Sequence, residues 1–234
     1  MDLKIKDVVD ILNVSETTLR RWLADGKIPA YRINQQYRFN RQEIEDWVMR
    51  QKPGKCSGDV PQPSADAIVH NQRGSKQFSL YRAINKGGVL NNISGNSKED
   101  IIRATMKHVA ADLNLDADVI SDLLIDREQL QSTALGSGIA IPHTRDFLLS
   151  NHFDVVTVVL LKKPIEYGAL DGKPIHTLFF LFASDDKKHL HLLAKIAHLS
   201  SQPGIHALLQ SHPSRDVLLE YVKEWEGGIQ QASE

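Results

Sequence analysis

Two apolar runs limit the choice of fold more than anything else in the sequence. Val155-Val-Thr-Val-Val-Leu-Leu161 and Thr177-Leu-Phe-Phe-Leu-Phe182 are continuous, rich in β-branched and aromatic residues, and of strand length. A strand that is apolar on both faces has to be covered on both faces, so each run is predicted to be a central strand between layers of helix. Helical spacing supplies the covers. Ser97 is placed to cap a helix carrying Ile101, Ile102, Met106, Val109 and Leu113 on one face. Residues 116–130 give a second, with Val119, Ile120, Leu123 and Leu124 apolar, and 189–198, 204–210 and 214–225 read as helices near the end of the chain. The expected fold class of residues 78–228 is an α/β sandwich, with 229–234 as a tail.

A smaller unit precedes it. Ile5, Val8, Val9, Ile11 and Leu12 have helical spacing, and Ser15 is a good N-cap for a helix from Glu16 to Ala24 that Gly26 ends. Residues 30–39 alternate around a polar centre as a β-hairpin would, and Asn40 can cap a third helix carrying Ile44, Trp47 and Val48. Helix, tight turn, helix, hairpin, helix describes a small winged helix-turn-helix domain over residues 1–52. Trp22 and Trp47 read as core. Residues 53–77, with Pro53, Gly54, Pro61, Pro63 and Gly74 and few large apolar side chains, read as a flexible linker that lets the two domains move independently.

The 234 residues leave room for two modest domains. A net charge of −1 argues against a globally basic nucleic-acid binder but says nothing of local patches. No apolar run approaches the ~20 residues that span a bilayer, so no membrane insertion is expected. Met-Asp-Leu-Lys-Ile-Lys is not a signal peptide, and a single cysteine, Cys56, excludes an internal disulfide. A cytoplasmic protein is expected.

The chemistry is concentrated in Thr133-Ala-Leu-Gly-Ser-Gly-Ile-Ala-Ile-Pro-His143-Thr-Arg145. Gly136 and Gly138 flank Ser137 and permit a tight turn. Ile139, Ala140 and Ile141 form a short buried run, and Pro142 stiffens the chain just before His143. A histidine presented this way suits a nucleophile for an anionic group, since neutral imidazole carries a lone pair without a separate base. From the residues alone it could equally be a packed histidine at a strand end. The pattern resembles the active-site segment of phosphotransferase-system IIA domains of the mannitol/fructose and nitrogen-regulatory type, and Pro164-Ile-Glu-Tyr-Gly-Ala-Leu-Asp-Gly-Lys-Pro-Ile175 continues the match.

That resemblance implies an α/β sandwich with a mixed sheet flanked by helices, in which His143 accepts a phosphoryl group. Arg127 and His189 fall at the family's spacings for two further catalytic residues: Arg127 would neutralise phosphoryl oxygens, and His189 would donate a hydrogen bond or positive charge. Without the resemblance, Arg127 could be a helix-end salt-bridging residue and His189 an exposed one. Gly136, Ser137, Gly138 and Thr144 would support the phosphoryl site. The family commonly has glycine at the position of Thr144, whose hydroxyl could bind the group or whose bulk could slow transfer. Neither cofactor nor metal is required, because the group arrives from a histidine-phosphorylated carrier protein. The implied role is a phosphohistidine carrier rather than a stand-alone turnover enzyme.

The N-terminal unit has its own resemblance. Val8-Val-Asp-Ile-Leu-Asn-Val-Ser15, Thr18-Leu-Arg-Arg-Trp22, Gly26-Lys-Ile-Pro29 and Tyr37-Arg38-Phe39 are similar to the excisionase/MerR-type DNA-binding module. It implies DNA as a partner, with Thr17, Thr18, Arg20 and Arg21 on the reading helix and Lys27, Arg32 and Arg38 at or near the wing. One such module has a small footprint, so a homodimer or a partner is expected. The combined reading is a phosphorylatable regulator that binds DNA. The alternatives are a phosphocarrier serving a separate IIB protein and a binding module that is never phosphorylated.

Overall fold

The computed structural model describes residues 2–12, 14–50, 78–144 and 153–231. The linker expected at 53–77, Cys56 and Arg145 lie outside the described residues.

The first domain follows the sequence closely. Strand β1 (Asp2–Lys4) leads into α1 (Ile5–Leu12) and α2 (Glu16–Ala24); then come β2 (Tyr31–Ile33), β3 (Gln36–Asn40) and α3 (Arg41–Arg50). Ser15 starts α2 by accepting the Thr18 N–H at 3.0 Å, and Asn40 starts α3 by accepting the Gln42 N–H at 2.8 Å. Asn34 and Gln35 both take positive φ, as a two-residue turn between twisted strands requires. β1 pairs with β3 on the side opposite β2, giving a three-stranded antiparallel sheet. Trp22 is buried, and the Trp47 indole donates to the Lys27 carbonyl at 2.6 Å.

The second domain contains α4 (Ser79–Gly87), β4 (Val89–Ile93), α5 (Lys98–Val109), α6 (Ala117–Leu130), β5 (Ala134–Gly136), β6 (Ile139–Ala140), β7 (Val155–Ile165) and β8 (Ile175–Phe182), then α7 (Asp186–Ser200), α8 (Ile205–Gln210) and α9 (Arg215–Gln231). Its sheet runs β4-β7-β8-β6-β5 and is mixed: β4 is parallel to β7, β6 to β8, and the other two pairs are antiparallel. The two apolar runs are its central strands. Val156, Val158 and Leu160 of β7 point into one core, with α4, α7 and α9, while Val155, Val159 and Leu161 point into the other, with α5 and α6. With both faces covered, the β7 run is apolar at nearly every position, and the one polar side chain within it, Thr157, is buried with its hydroxyl bonded to the Gly87 carbonyl. Val119, expected in the apolar set of α6, is 59% exposed, because that helix buries only a narrow stripe.

Helix α4 and strand β4 have no counterpart in the sequence reading. The start of α4 depends on a distant residue: Glu226 of α9 accepts the Leu80 and Tyr81 N–H groups at 3.2 and 2.9 Å and is ion-paired with Lys195 of α7. A carboxylate on the free N–H groups of a first turn replaces the local cap that the chain before α4 does not supply.

The domains are packed together rather than independent. Helices α1 and α3 lie on α7, and one continuous apolar core contains Val8, Ile11 and Ile44 together with Leu190 and Leu193. Arg41 pairs with Asp186 at 2.9 Å and Asp7 with Lys187 at 2.6 Å. His191 of α7 contacts the Ile11 carbonyl at 3.2 Å through Nδ1 and the Ser79 hydroxyl at 3.1 Å through Nε2. Linker composition speaks only to reach; complementary faces on α1, α3 and α7 decide where the domain rests. No helix among the described residues is long and apolar enough to cross a membrane.

Candidate functional site

His143 is set by its own backbone. Ile141 N–H donates to the Thr133 carbonyl at 3.0 Å, Leu181 N–H donates to the Pro142 carbonyl at 3.0 Å, and His143 bridges to Leu181, so the segment after β6 continues along β8. Thr133 is itself anchored from α6, where the buried Glu128 carboxylate accepts its N–H at 3.1 Å and its hydroxyl at 2.5 Å. Burial pushes the Glu128 carboxyl up against the pull of those bonds.

The ring orientation follows from the Nδ1 contact with the Ile141 carbonyl at 2.7 Å. A carbonyl only accepts, so Nδ1 carries the hydrogen and Nε2 is the nitrogen left for chemistry. Around His143 the structure gathers both further residues expected there. Arg127, on the last turn of α6, is buried and donates from one terminal nitrogen to the Gln131 carbonyl at 3.0 Å and from the other to the carboxylate oxygen that meets His143 Nε2. His189, in the first turn of α7, stacks edge-on to His143 with ring centroids 5.1 Å apart. Burial holds the His189 ring down at about 4, with the neighbouring Glu45 opposing and His143 adding to the shift. Burial thus favours the neutral ring near pH 7.

The fourth member comes from the other domain. Glu45 of α3 places Oε1 2.8 Å from His143 Nε2 and 3.1 Å from the Arg127 guanidinium, while Oε2 is 3.7 Å from His189 Nε2. The last distance is long for a hydrogen bond, so His143 and Arg127 are the partners that matter. Burial acts to raise the Glu45 carboxyl, but the histidines outweigh it and hold the group far below the usual carboxylate range. Glu45, His143 and His189 could also hold a metal ion, with ligand atoms within 4.8 Å of one another. Arg127 puts a fixed positive charge on the same carboxylate, which opposes a cation there.

Three supporting residues sit elsewhere. Gly136, Ser137 and Gly138 turn the β5–β6 hairpin, and all three have positive φ. Register pairs Ile139 with Thr177 but His143 with Leu181, which puts the turn about 13 Å along β8 from His143 at ~3.3 Å per residue. A Cβ on Gly138 would lie 2.3 Å from the His176 ring, and Ser137 N–H is tied to Asp171 at 2.7 Å. These residues fix β6 and hence His143 at a distance. Thr144 is buried directly after His143.

On the first domain, Arg20, Arg32 and Arg38 line one groove of about 380 Å³ with Lys4, Lys6, Glu16 and Tyr37. Lys4 and Lys6 are not singled out by the sequence reading because they precede the motif that starts at Val8. Thr17 and Arg21 are exposed, and Lys27 is half-buried beside Asp25 at 3.3 Å. Thr18 is buried against Ser15, its hydroxyl 2.9 Å from the Ser15 hydroxyl, so it builds the helix start instead of facing outward.

Residues 82–225 match the family described as phosphoenolpyruvate-dependent sugar phosphotransferase system, EIIA 2. The chain belongs to this family. Its EIIA domain is 35% identical over 153 residues to the nitrogen regulatory protein of Pseudomonas aeruginosa, covering 64% of this chain and 97% of that protein. The crystal structure of nitrogen regulatory protein IIA-Ntr from Neisseria meningitidis has a TM-score of 0.53 and 27% identity, covering 58% of this chain and 93% of that one. Residues 3–52 match a helix-turn-helix domain. In that region the chain is 46% identical over 48 residues to the transcriptional repressor DcmR of Methylorubrum extorquens, which covers 20% of this chain and 18% of that protein. The EIIA domain of this chain thus carries a helix-turn-helix domain seated on its histidine segment, 133–144.

Proposed function

We propose that the chain is a cytoplasmic regulator whose EIIA domain takes a phosphoryl group on Nε2 of His143 from a histidine-phosphorylated carrier protein, and whose helix-turn-helix domain binds DNA. The observation that carries the reading is the hydrogen bonding of the ring: the Ile141 carbonyl accepts from Nδ1, and Nε2 faces the Glu45 carboxylate oxygen that the Arg127 guanidinium also binds. Arg127 supplies a planar pair of donors for phosphoryl oxygens, and neutral His189 a further N–H. Phosphoryl transfer through a loose transition state needs positioning and charge stabilisation of this kind. The Nε2 lone pair forms the new N–P bond; the donor's N–P bond breaks and its electron pair returns to the donor's ring nitrogen.

Incubation with a phosphoenolpyruvate-driven donor cascade, read by intact mass and acid lability, should add one acid-labile phosphoryl group to the wild type and none to His143→Ala. Incorporation that survives His143→Ala would move the site elsewhere. For DNA, the basic groove is the proposed contact surface, with two copies of the small module needed for firm binding. Arg32→Ala with Arg38→Ala is expected to weaken binding on any sequence and to lower the slope of log affinity against log salt by about 2, since each phosphate contact contributes about 1. An unchanged slope would remove the groove from the interface.

A further inference from the structure

We propose that the helix-turn-helix domain is a cap on the phosphoryl site of its own chain, with Glu45 standing where an oxygen of the phosphoryl group has to stand, so that docking of α3 and phosphorylation of His143 exclude each other. This deepens the phosphoryl reading and rests on it.

Occupancy comes first. Glu45 Oε1 touches both groups that a phosphoryl oxygen on Nε2 would touch, the ring nitrogen at 2.8 Å and the Arg127 guanidinium at 3.1 Å. A carboxylate is planar and anionic and accepts the bidentate donors of arginine as a phosphoryl group does. Access is closed as well: His143 is 1% exposed beneath α3, which a donor protein cannot penetrate.

The nucleophile is also disabled. Both ring nitrogens of docked His143 face acceptors, the Ile141 carbonyl and the Glu45 carboxylate. The Glu45 oxygen stands on the one ring nitrogen left for attack, so phosphorus cannot approach Nε2 while α3 is seated. Undocking takes the carboxylate away and uncovers Nε2. Conversely, a phosphoryl group brings about −1.5 to −2 charges and three acceptor oxygens into a space already holding the Glu45 charge. Steric overlap and like-charge repulsion in a buried site then prevent α3 from reseating.

Undocking also has to part the apolar contact of α1 and α3 with α7, and the ion pairs around it add unequally. Arg41–Asp186 is largely buried, whereas in Asp7–Lys187 the lysine is 62% exposed, and an exposed pair of that kind contributes little individually. Glu45 is the one buried interdomain carboxylate among the described residues, and it is the group whose counter-charges the phosphoryl group would take over.

The test compares single-turnover phosphorylation of the full-length wild type, Glu45→Ala and Lys187→Glu, together with scattering dimensions before and after charging. Glu45→Ala should accept the phosphoryl group about ten-fold faster or more, because the fraction of chains competent for transfer rises. Lys187→Glu loosens the seat without touching the site and should also accelerate transfer, and Asp7→Lys combined with Lys187→Glu should return the rate toward wild type. Phosphorylated wild type should become more extended, matching uncharged Glu45→Ala. Equal rates for wild type and Glu45→Ala with unchanged dimensions would overturn the cap while leaving the phosphoryl reading intact. No incorporation in any variant would overturn both.

Discussion

Arg127→Met should slow phosphoryl transfer to His143 by roughly 10²–10³-fold, the usual loss when one preorganised donor is removed from a site of developing negative charge. Arg127 is buried, and one of its terminal nitrogens is already committed to the Gln131 carbonyl at 3.0 Å. The other has no rearrangement to make when a phosphoryl oxygen replaces the Glu45 carboxylate. Two opposing effects have to be separated, because the same change removes a counter-charge from Glu45 and loosens the cap. Placing Arg127→Met in a Glu45→Ala background does this: the cap is then absent from both arms of the comparison, and the full loss should persist. Arg127→Lys retains the charge but not the planar fork and should recover only part of the rate. A wild-type rate for Arg127→Met, Glu45→Ala against Glu45→Ala alone would show that Arg127 serves only the docked state.

Gly87→Ala is expected to have the largest effect on stability. The added Cβ would lie 2.4 Å from the Val156 carbonyl oxygen and 2.8 Å from the Thr157 nitrogen. Both are backbone atoms of the central strand β7, which cannot shift without disturbing its pairing on both sides. The Thr157 hydroxyl and the Val158 N–H donate to the Gly87 and Gly88 carbonyls at 3.1 and 3.0 Å, so the close approach is also hydrogen-bonded. Overpacking of this kind costs about 3 kcal/mol, which lowers Tm by roughly 6–12 °C in a chain of this size. Gly227→Ala is the contrast. Its Cβ would meet only the Phe78 ring at 3.9 Å, inside helix α9, and a slight gain in Tm is expected. Thermal unfolding of the two variants side by side distinguishes a specific clash from a general dislike of substitution.

Much of this architecture could be read from the residues because the relevant signals are local. Two uninterrupted apolar runs imply strands buried on both faces, Ser97 and Asp116 mark helix starts, and the motif ending in His143 keeps its histidine at a strand end. Arg127 and His189 could be placed by spacing in a family pattern. Helix α4 is not legible because its first turn is capped by Glu226, which is adjacent in space but 146 residues from Leu80 in the chain. The glycine turn was assigned to the phosphoryl site because sequence adjacency suggested proximity, whereas strand direction carries it away from His143.

Glu45 could not be found from periodicity, because it is a polar position on a helix whose Ile44 and Val48 already account for the core of a small domain. Burial of Glu45 and Met49, four residues apart on a neighbouring face, reflects a second contact surface that the first domain alone does not require. The extra apolar residue on α3 was the only trace of that surface in the sequence.

Because Glu45 and His143 belong to one polypeptide, the rival to an incoming donor is present at a local concentration fixed by the chain itself. Tethered partners of this kind reach effective concentrations on the order of millimolar when the connection spans the sites comfortably. Dilution of the protein leaves that competition unchanged, and so does overproduction. The balance between seated and charged forms would therefore report how much charged carrier the cell contains, and would be insensitive to how many copies of the regulator are there to sense it.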